Sequence, residues 1–216
     1  MGKTKVKKQS TFIDMTAMSD VTVLLLTFFM LTATFLPKEP VQVNAPMSVS
    51  EVKIPENNVL TILVDPSGKV YVNLDDKVRM GDEESENSRA KTKKQAVLEL
   101  MGQDYGITFT DKQKRAFVEY SHIGLPMREM QRVLDLPVSS QEDEVKKFGI
   151  PTDSTNNQLT RWVKHAREVY GDGMGIAIKA DQNTAYPFVD NVMKILVKMK
   201  ENRYSLITNL RGMPEV

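Results

Sequence analysis

The sequence predicts an α+β protein: a single N-terminal transmembrane helix, then a small α/β domain beyond the membrane that carries a helical insertion. Three observations lead there. Residues 15–36 form the one long apolar stretch of the chain, with Asp20 as its sole ionisable side chain. Two β-branched segments within 59–79, and a strand–helix–strand pattern after residue 175, have the composition of a small mixed sheet. Between them, residues 80–157 show helical spacing and no strand pattern.

The elements follow in chain order. Residues 1–14 read as a cytoplasmic tail, because Lys3, Lys5, Lys7 and Lys8 precede the apolar window, whereas only Lys38, balanced by Glu39, closely follows it. The window, residues 15–36, spans about 33 Å at the helical rise, enough for a hydrocarbon core of about 30 Å. Residues 37–216 are then expected on the far side. A cleaved signal peptide is the competing reading. Against it, Thr32-Ala33-Thr34 is a poor cleavage site, Asp20 interrupts the approach to the apolar core, and that core is long for a signal. Val6 also breaks the myristoylation pattern.

A charged side chain at mid-bilayer costs about 2.5–3.5 kcal/mol on insertion scales, so it persists where it has a task or a partner. At 100° per residue, Thr27 lies about −20° from Asp20, and Thr16 and Thr34 lie about −40° from it. Four polar side chains therefore share one stripe, while most of the Leu, Phe and Val residues face elsewhere. Such a stripe suits a helix packed in a bundle beside a hydrated or protein-lined path. The simpler alternative makes Asp20 the N-cap of a helix beginning at Val21.

Residues 37–58 hold Pro37, Pro40, Pro46 and Pro55 and no helical period, which reads as an extended linker. A hairpin follows: residues 59–64 are apolar and β-branched, Asp65-Pro66-Ser67-Gly68 is turn chemistry, and residues 69–73 alternate. Residues 158–169 form a helix with Leu159, Trp162, Val163 and Ala166 on one face. A strand over 175–181, an amphipathic helix over 186–200 and a strand over 204–209 complete a domain made of 59–79 and 158–212. The 80–157 segment opens on an acidic loop, 81–87, expected to be mobile. Helices then follow near 88–101, 111–120, 126–134 and 139–148, with Ser88 and Asp111 as N-caps and Pro151 stopping the last. The apolar side chains of this segment (Leu98, Leu100, Phe117, Met130, Val133, Leu134) need cover, and a separately packed subdomain is the expected solution.

Composition removes several function classes. With 29 basic and 28 acidic residues the net charge is +1, which offers no electrostatic case for nucleic acid. The absence of cysteine excludes disulfides, thiolate metal sites and cysteine nucleophiles. His122 and His165 have no metal-ligand spacing and read as surface or packing residues. Gly171-Asp172-Gly173-Met174-Gly175 follows a helix and opens a strand, the reverse of a dinucleotide site, so it reads as a helix-ending turn. No enzyme signature, metal or organic cofactor is implied.

The run from Asp14 to Thr32, with Met15-Thr16-Ala17-Met18, Asp20-Val21, Leu24-Leu25-Leu26, Phe28-Phe29-Met30 and Leu31-Thr32, resembles the signature helix of the ExbD/TolR family. It departs at Ala17, where the family usually has proline, and at Ser19, where an apolar residue is commoner. The β-β…β-α-β order resembles the family's periplasmic domain, including Ala180-Asp181 and a tyrosine ahead of the last helix. The resemblance covers about two-thirds of the chain and is silent on residues 80–157.

That resemblance implies a role for each part. Asp20 matches the family's proton-carrying aspartate, with Thr27 on a face where the family often keeps a hydroxyl. Ile54-Pro55 is the nearest match to an apolar-proline motif associated with plugging and activation, and Ala45-Pro46 is second; a passive spacer is the alternative. The chain would sit in the inner membrane of a Gram-negative cell, N-terminus cytoplasmic and C-terminal domain periplasmic. There an ExbB-like multi-span channel would surround the helix. A homodimer within that hetero-oligomer would use the proton-motive force to energise a TonB-like protein for outer-membrane transport. A TolR-like role in envelope integrity is the near alternative, and a signal-anchored binding protein without ion coupling the distant one. A flagellar-type stator is not favoured, because no peptidoglycan-binding domain is recognisable.

Overall fold

The computed structural model describes residues 15–32, 43–48, 58–75, 83–119, 122–153 and 155–210. The chain divides into two units, Met1–Pro37 and Lys38–Val216. In the first, helix α1 (Met15–Thr32) is long and apolar enough to cross a membrane, and none of its side chains is buried by protein. Asp20 is interior to this helix, five residues past Met15, which corrects the capping alternative: a cap must lie outside the helical backbone.

The second unit begins with β1 (Met47–Ser48), β2 (Val59–Val64) and β3 (Val70–Asp75). Helices α2 (Glu83–Tyr105), α3 (Asp111–Glu119), α4 (Met127–Leu134), α5 (Val138–Lys147) and α6 (Gln158–Tyr170) follow. Strand β4 (Gly175–Ala180), helix α7 (Tyr186–Lys198), β5 (Tyr204–Leu206) and β6 (Asn209–Leu210) complete it. Strands β3-β2-β4-β5 form the main sheet in that order; β2 pairs antiparallel with β3 and parallel with β4, and β4 pairs parallel with β5.

The hairpin forms as the turn chemistry dictates. Gly68 takes φ +83, Asp65 accepts from the Gly68 amide at 3.0 Å, and the Asp65 carboxylate accepts from the Lys69 amide at 2.8 Å. On α6, Leu159, Trp162, Val163 and Ala166 are all buried, as their spacing predicts. Trp162 stacks on Phe117 of α3 with ring centroids 6.0 Å apart.

The 80–157 segment departs from expectation in two ways. Residues 83–87 are helical, so the expected acidic loop is the first part of α2 and Ser88 lies inside it. Glutamates at a helix N-terminus complement its dipole, and residues 83–101 contain no glycine or proline to interrupt. At α3 the cap is Thr110, not Asp111: Thr110 N–H donates to Gln113 Oε1 at 3.0 Å and Gln113 N–H to Thr110 Oγ1 at 3.4 Å, a capping box.

Nor does the segment pack on itself alone. Val97, Leu98, Met101, Phe117, Met130, Val133 and Leu134 belong to one buried cluster with Leu60, Ile62, Val72, Trp162 and Ile176. The backbone is stitched in as well. Val72 and Ile123 exchange hydrogen bonds at 2.8 and 2.7 Å, Ile150 N–H reaches Val70 O at 2.8 Å, and buried Gln158 accepts from the Met127 amide at 3.0 Å. The expected separate subdomain is therefore corrected to a single shared core.

One cooperative unit has a measurable consequence. Phe117→Ala should destabilise the whole second unit by about 3–5 kcal/mol, read as one urea transition in the fluorescence of the only tryptophan, Trp162. Two transitions, or a loss under about 1 kcal/mol, would show the segment folding apart from the sheet.

Candidate functional site

On α1, Thr16, Asp20 and Thr27 keep the helical register that puts them on one stripe. Thr27 Oγ1 donates to Leu24 O at 2.9 Å, which spends its proton on the backbone and leaves its lone pairs to accept. Ser19 and Thr22 likewise donate to Met15 O at 2.7 Å and to Ser19 O at 2.8 Å. Asp20 is thus the one titratable group on α1, and the Ser19, Thr22, Thr27 and Thr32 hydroxyls are satisfied by nearby backbone carbonyls. Thr34, Ile54 and Pro55 lie outside the described residues. Among the described residues no group of three or more His, Asp or Glu side chains is placed to hold a metal ion.

A second constellation fastens residues 43–48, the middle of the expected 37–58 linker, to the domain. Val43 and Ala45 are buried, and β1 pairs parallel with β6, so residues 43–48 are part of the fold instead of a spacer. The Asp181 carboxylate, buried just past β4, accepts from the Asn44 amide at 2.8 Å through Oδ2 and from the Asn183 amide at 2.9 Å through Oδ1. Gln182 N–H returns to Asn44 O at 2.9 Å. Asn209 donates its amide to Pro46 O at 2.9 Å and its side chain to Ala45 O at 3.0 Å. Ala45-Pro46, the second plug candidate, is therefore held by its carbonyls at the mouth of β1.

This clasp explains two departures from expectation. The expected strand over 204–209 breaks after Leu206 because its two halves serve different partners, β5 on β4 and β6 on β1. Asp181 has a role that strand periodicity does not reveal, although an Asp-x-Asn turn after a strand is the local signal for it.

A third cluster ties α2 to α6. His165 faces Asp104 through Nε2 at 2.9 Å and Glu168 through Nδ1 at 3.3 Å, and Arg161 Nη1 lies 3.5 Å from Asp104 while its guanidinium covers the Tyr105 ring. The hydrogen bond from His165, with Arg161 and Lys164 adding, holds the Asp104 carboxyl below its ordinary range. Burial, with Asp65 adding, pushes the Tyr71 phenol up to about 12, and its hydroxyl donates to Phe148 O at 3.1 Å. Both are joints in the fold, remote in sequence from Asp20.

An apolar helix long enough to cross a membrane, with one interior carboxylate, followed by an α/β unit, is the architecture that the described residues define. The particular family follows from comparison. The family model described as biopolymer transport protein ExbD/TolR matches residues 7–210, running through the 80–157 segment, and the chain belongs to that family. Neither curated proteins nor solved structures returned a match. Members of the family serve as energy-coupling subunits in biopolymer transport and generally work with ExbB/TolQ-type and TonB/TolA-type proteins.

The clasp has a defined pH dependence. The Asn183 and Asn44 amides hold the Asp181 carboxyl below its ordinary range. Its folded-state affinity for a proton is depressed, so its stabilising contribution is present above the unfolded value of about 3.9 and is lost as pH falls through the lower folded value. The amide resonance of Asn44 should therefore shift only below about pH 4, and Asp181→Asn should abolish that step. An unchanged titration in the variant would mean that another group controls the clasp.

Proposed function

We propose that the chain is the ion-carrying subunit of a proton-motive-force-coupled motor in the inner membrane, with Asp20 as the proton carrier. The observation that carries this reading is a lone carboxylate inside α1, in register with Thr16 and Thr27, on a helix with no protein cover of its own. A carboxyl binds a proton more readily when desolvated and releases it when hydrated or paired, so movement between two such environments converts ion flow into motion. The membrane potential supplies about 2.3 kcal/mol per charge per 100 mV, enough to offset much of the burial cost of Asp20.

In this proposal a multi-span ExbB-like protein forms the wall around α1 and provides the two aqueous routes. Thr16, Thr27 and Thr34 line the side on which Asp20 travels. Two copies of the chain share one channel assembly, and the periplasmic α/β unit passes motion to a TonB-like transducer that opens outer-membrane transporters. Ile54-Pro55 acts as the plug that holds the idle assembly closed.

Two experiments test the reading. Asp20→Asn should reduce energy-dependent uptake to the level of cells lacking the chain, while the amount of assembled complex stays as in wild type. The exchange preserves size and polarity and removes only the titratable proton. Wild-type uptake by that variant would end the carrier assignment. A reporter fused after Val216 should be active only in the periplasm, with residues 15–36 retained in the mature chain; a mature N-terminus beyond Leu36 would rule out the motor.

A further inference from the structure

The end of the main sheet at which its parallel strands finish presents almost no charge. Strands β2, β4 and β5 run the same way, so Asp65, Asp181 and Ile207, the residues that follow them, share that end. The clasp brings residues 43–48 to it, and the loop after Asp181 leads from it into α7. The segments gathered there, 43–48, 65–68, 181–188 and 206–209, contain only two charged residues, Asp65 and Asp181, although 26% of the chain is charged. Both carboxylates are buried and occupied, Asp65 by Ser67 and the Lys69 amide, Asp181 by the Asn44 and Asn183 amides. The charges that border these segments are engaged too. Lys69 Nζ donates to Lys146 O at 2.8 Å, Lys146 and Lys147 pair with Asp143 and Glu144, and Lys194 pairs with Asp190.

The same end collects apolar surface. Among the described residues, the large apolar side chains that the second unit leaves exposed are Met47, Tyr186, Phe188, Val197 and Leu206, and all but Val197 belong to these segments. A rigid frame presents the aromatic pair. The Phe188 ring lies over Gly68 so closely that a Cβ at Gly68 would meet it at 2.6 Å. Thr184 Oγ1 donates to Asp65 O at 3.1 Å, which ties the loop before α7 to the hairpin turn, and Phe188 N–H donates to Ala185 O at 3.1 Å. Pro187 stands in the first turn of α7, where a missing N–H costs nothing. Exposed apolar side chains gathered in one region without charge among them mark an interaction surface.

Chain connectivity selects the occupant. Residues 33–42 are all the sequence between Thr32, the last residue of α1, and Val43, and the chain enters the second unit at this same end, where Asn44 is bonded to Asp181 and Gln182. The chemistry agrees. A tyrosine joins an apolar ring to a hydroxyl, which suits the boundary between acyl chains and headgroups, and methionine, phenylalanine and leucine supply area without charge. We propose that this end of the second unit docks on the lipid surface of the membrane that α1 crosses, with Tyr186, Phe188 and Met47 entering the headgroup region. The proposal rests on the reading of α1 as a membrane span, and not on Asp20 or proton transfer. Because these segments carry no exposed cation, docking draws on apolar burial and needs no anionic lipid. The opposite end of the sheet, with Asp172 and Arg203, stays in water.

The chain has no cysteine, so single ones can carry a reporter. The full chain with Leu26→Cys, Ala185→Cys or Asp172→Cys is labelled with a nitrobenzoxadiazole dye and reconstituted in phosphatidylcholine vesicles, with and without acyl-brominated lipid as quencher. Ala185 and Asp172 are exposed, and the Ala185 side chain makes no capping bond. Bromolipid should quench the dye at Leu26 and at Ala185 and leave the dye at Asp172 unquenched. Tyr186 is 69 % exposed, so it can be changed without opening the core. Tyr186→Glu should bring Ala185 down to the Asp172 level, while Trp162 emission and the quenching at Leu26 stay unchanged. High salt, or added phosphatidylglycerol, should leave the Ala185 signal as it was. An unquenched Leu26 would remove the membrane span and the proposal with it, whereas quenching at Leu26 but not at Ala185 would overturn the docking alone. Equal quenching at Ala185 and Asp172, or loss of the Ala185 signal in high salt, would also overturn it. So would a blue-shifted but unquenched dye at Ala185, which would mean that a second copy of the chain covers this end.

Discussion

Parallel pairing of Val59–Val64 with Gly175–Ala180 is the constraint on which the rest of the second unit depends. Two parallel strands cannot be joined by a turn; the chain must leave the sheet, cross over and return. Here the crossover contains β3 and, among the described residues, helices α2 to α6, which share one buried core with the sheet. Phe117, Met130 and Leu134 are buried in the same cluster as Leu60 and Trp162, which Val192, Ile195 and Leu196 of α7 complete. The 80–157 segment is thus a condition of the parallel pair and not an appendage to a finished domain.

Local chemistry made the strands and helices readable, and long-range pairing accounts for what was not. The Asp65–Gly68 turn, the α6 stripe around Trp162 and the glycine turn at Gly171 are set by neighbours within a few residues, so periodicity and turn chemistry identify them. The start of α2 was hidden because a run of Glu, Ser and Asn satisfies both a polar loop and a helix N-terminus. The clasp was hidden for a different reason: Asn44 and Asp181 are 137 residues apart, and a two-residue strand such as β1 has no period. The carboxylate in the apolar window was the plainest functional signal, since its energetic cost is visible without any fold.

Buried polar groups show how this fold joins distant parts. Asp181 holds Asn44 of the expected linker, Gln158 holds the start of α4, and His165 with Asp104 holds α2 against α6. Each leaves a full desolvation penalty behind if its partner is removed, which is about 1–3 kcal/mol for a buried donor or acceptor. Such joints specify position more than they add stability, because the alternatives to each are unsatisfied groups. Residues 43–48 are therefore built into the second unit, held there by Asp181 and by pairing with β6.

The two units face opposite physical demands. The second buries one shared core and joins its parts by polar contacts within one chain. Helix α1 does not: every side chain from Met15 to Thr32 is exposed, and the Asp20 carboxylate has no cation beside it on the helix. In hydrocarbon that arrangement carries the cost of a lone charge, and the four-residue polar stripe gives no counter-ion to offset it. Under the proposed carrier role the missing partner belongs to the channel, and this is an advantage. A carboxylate paired within its own chain could not exchange environments, whereas one that depends on an outside wall changes its proton affinity whenever the wall moves past it. Under that same proposal the incompleteness of α1 is what lets it generate motion, and the Asp181 clasp is where the second unit would receive it.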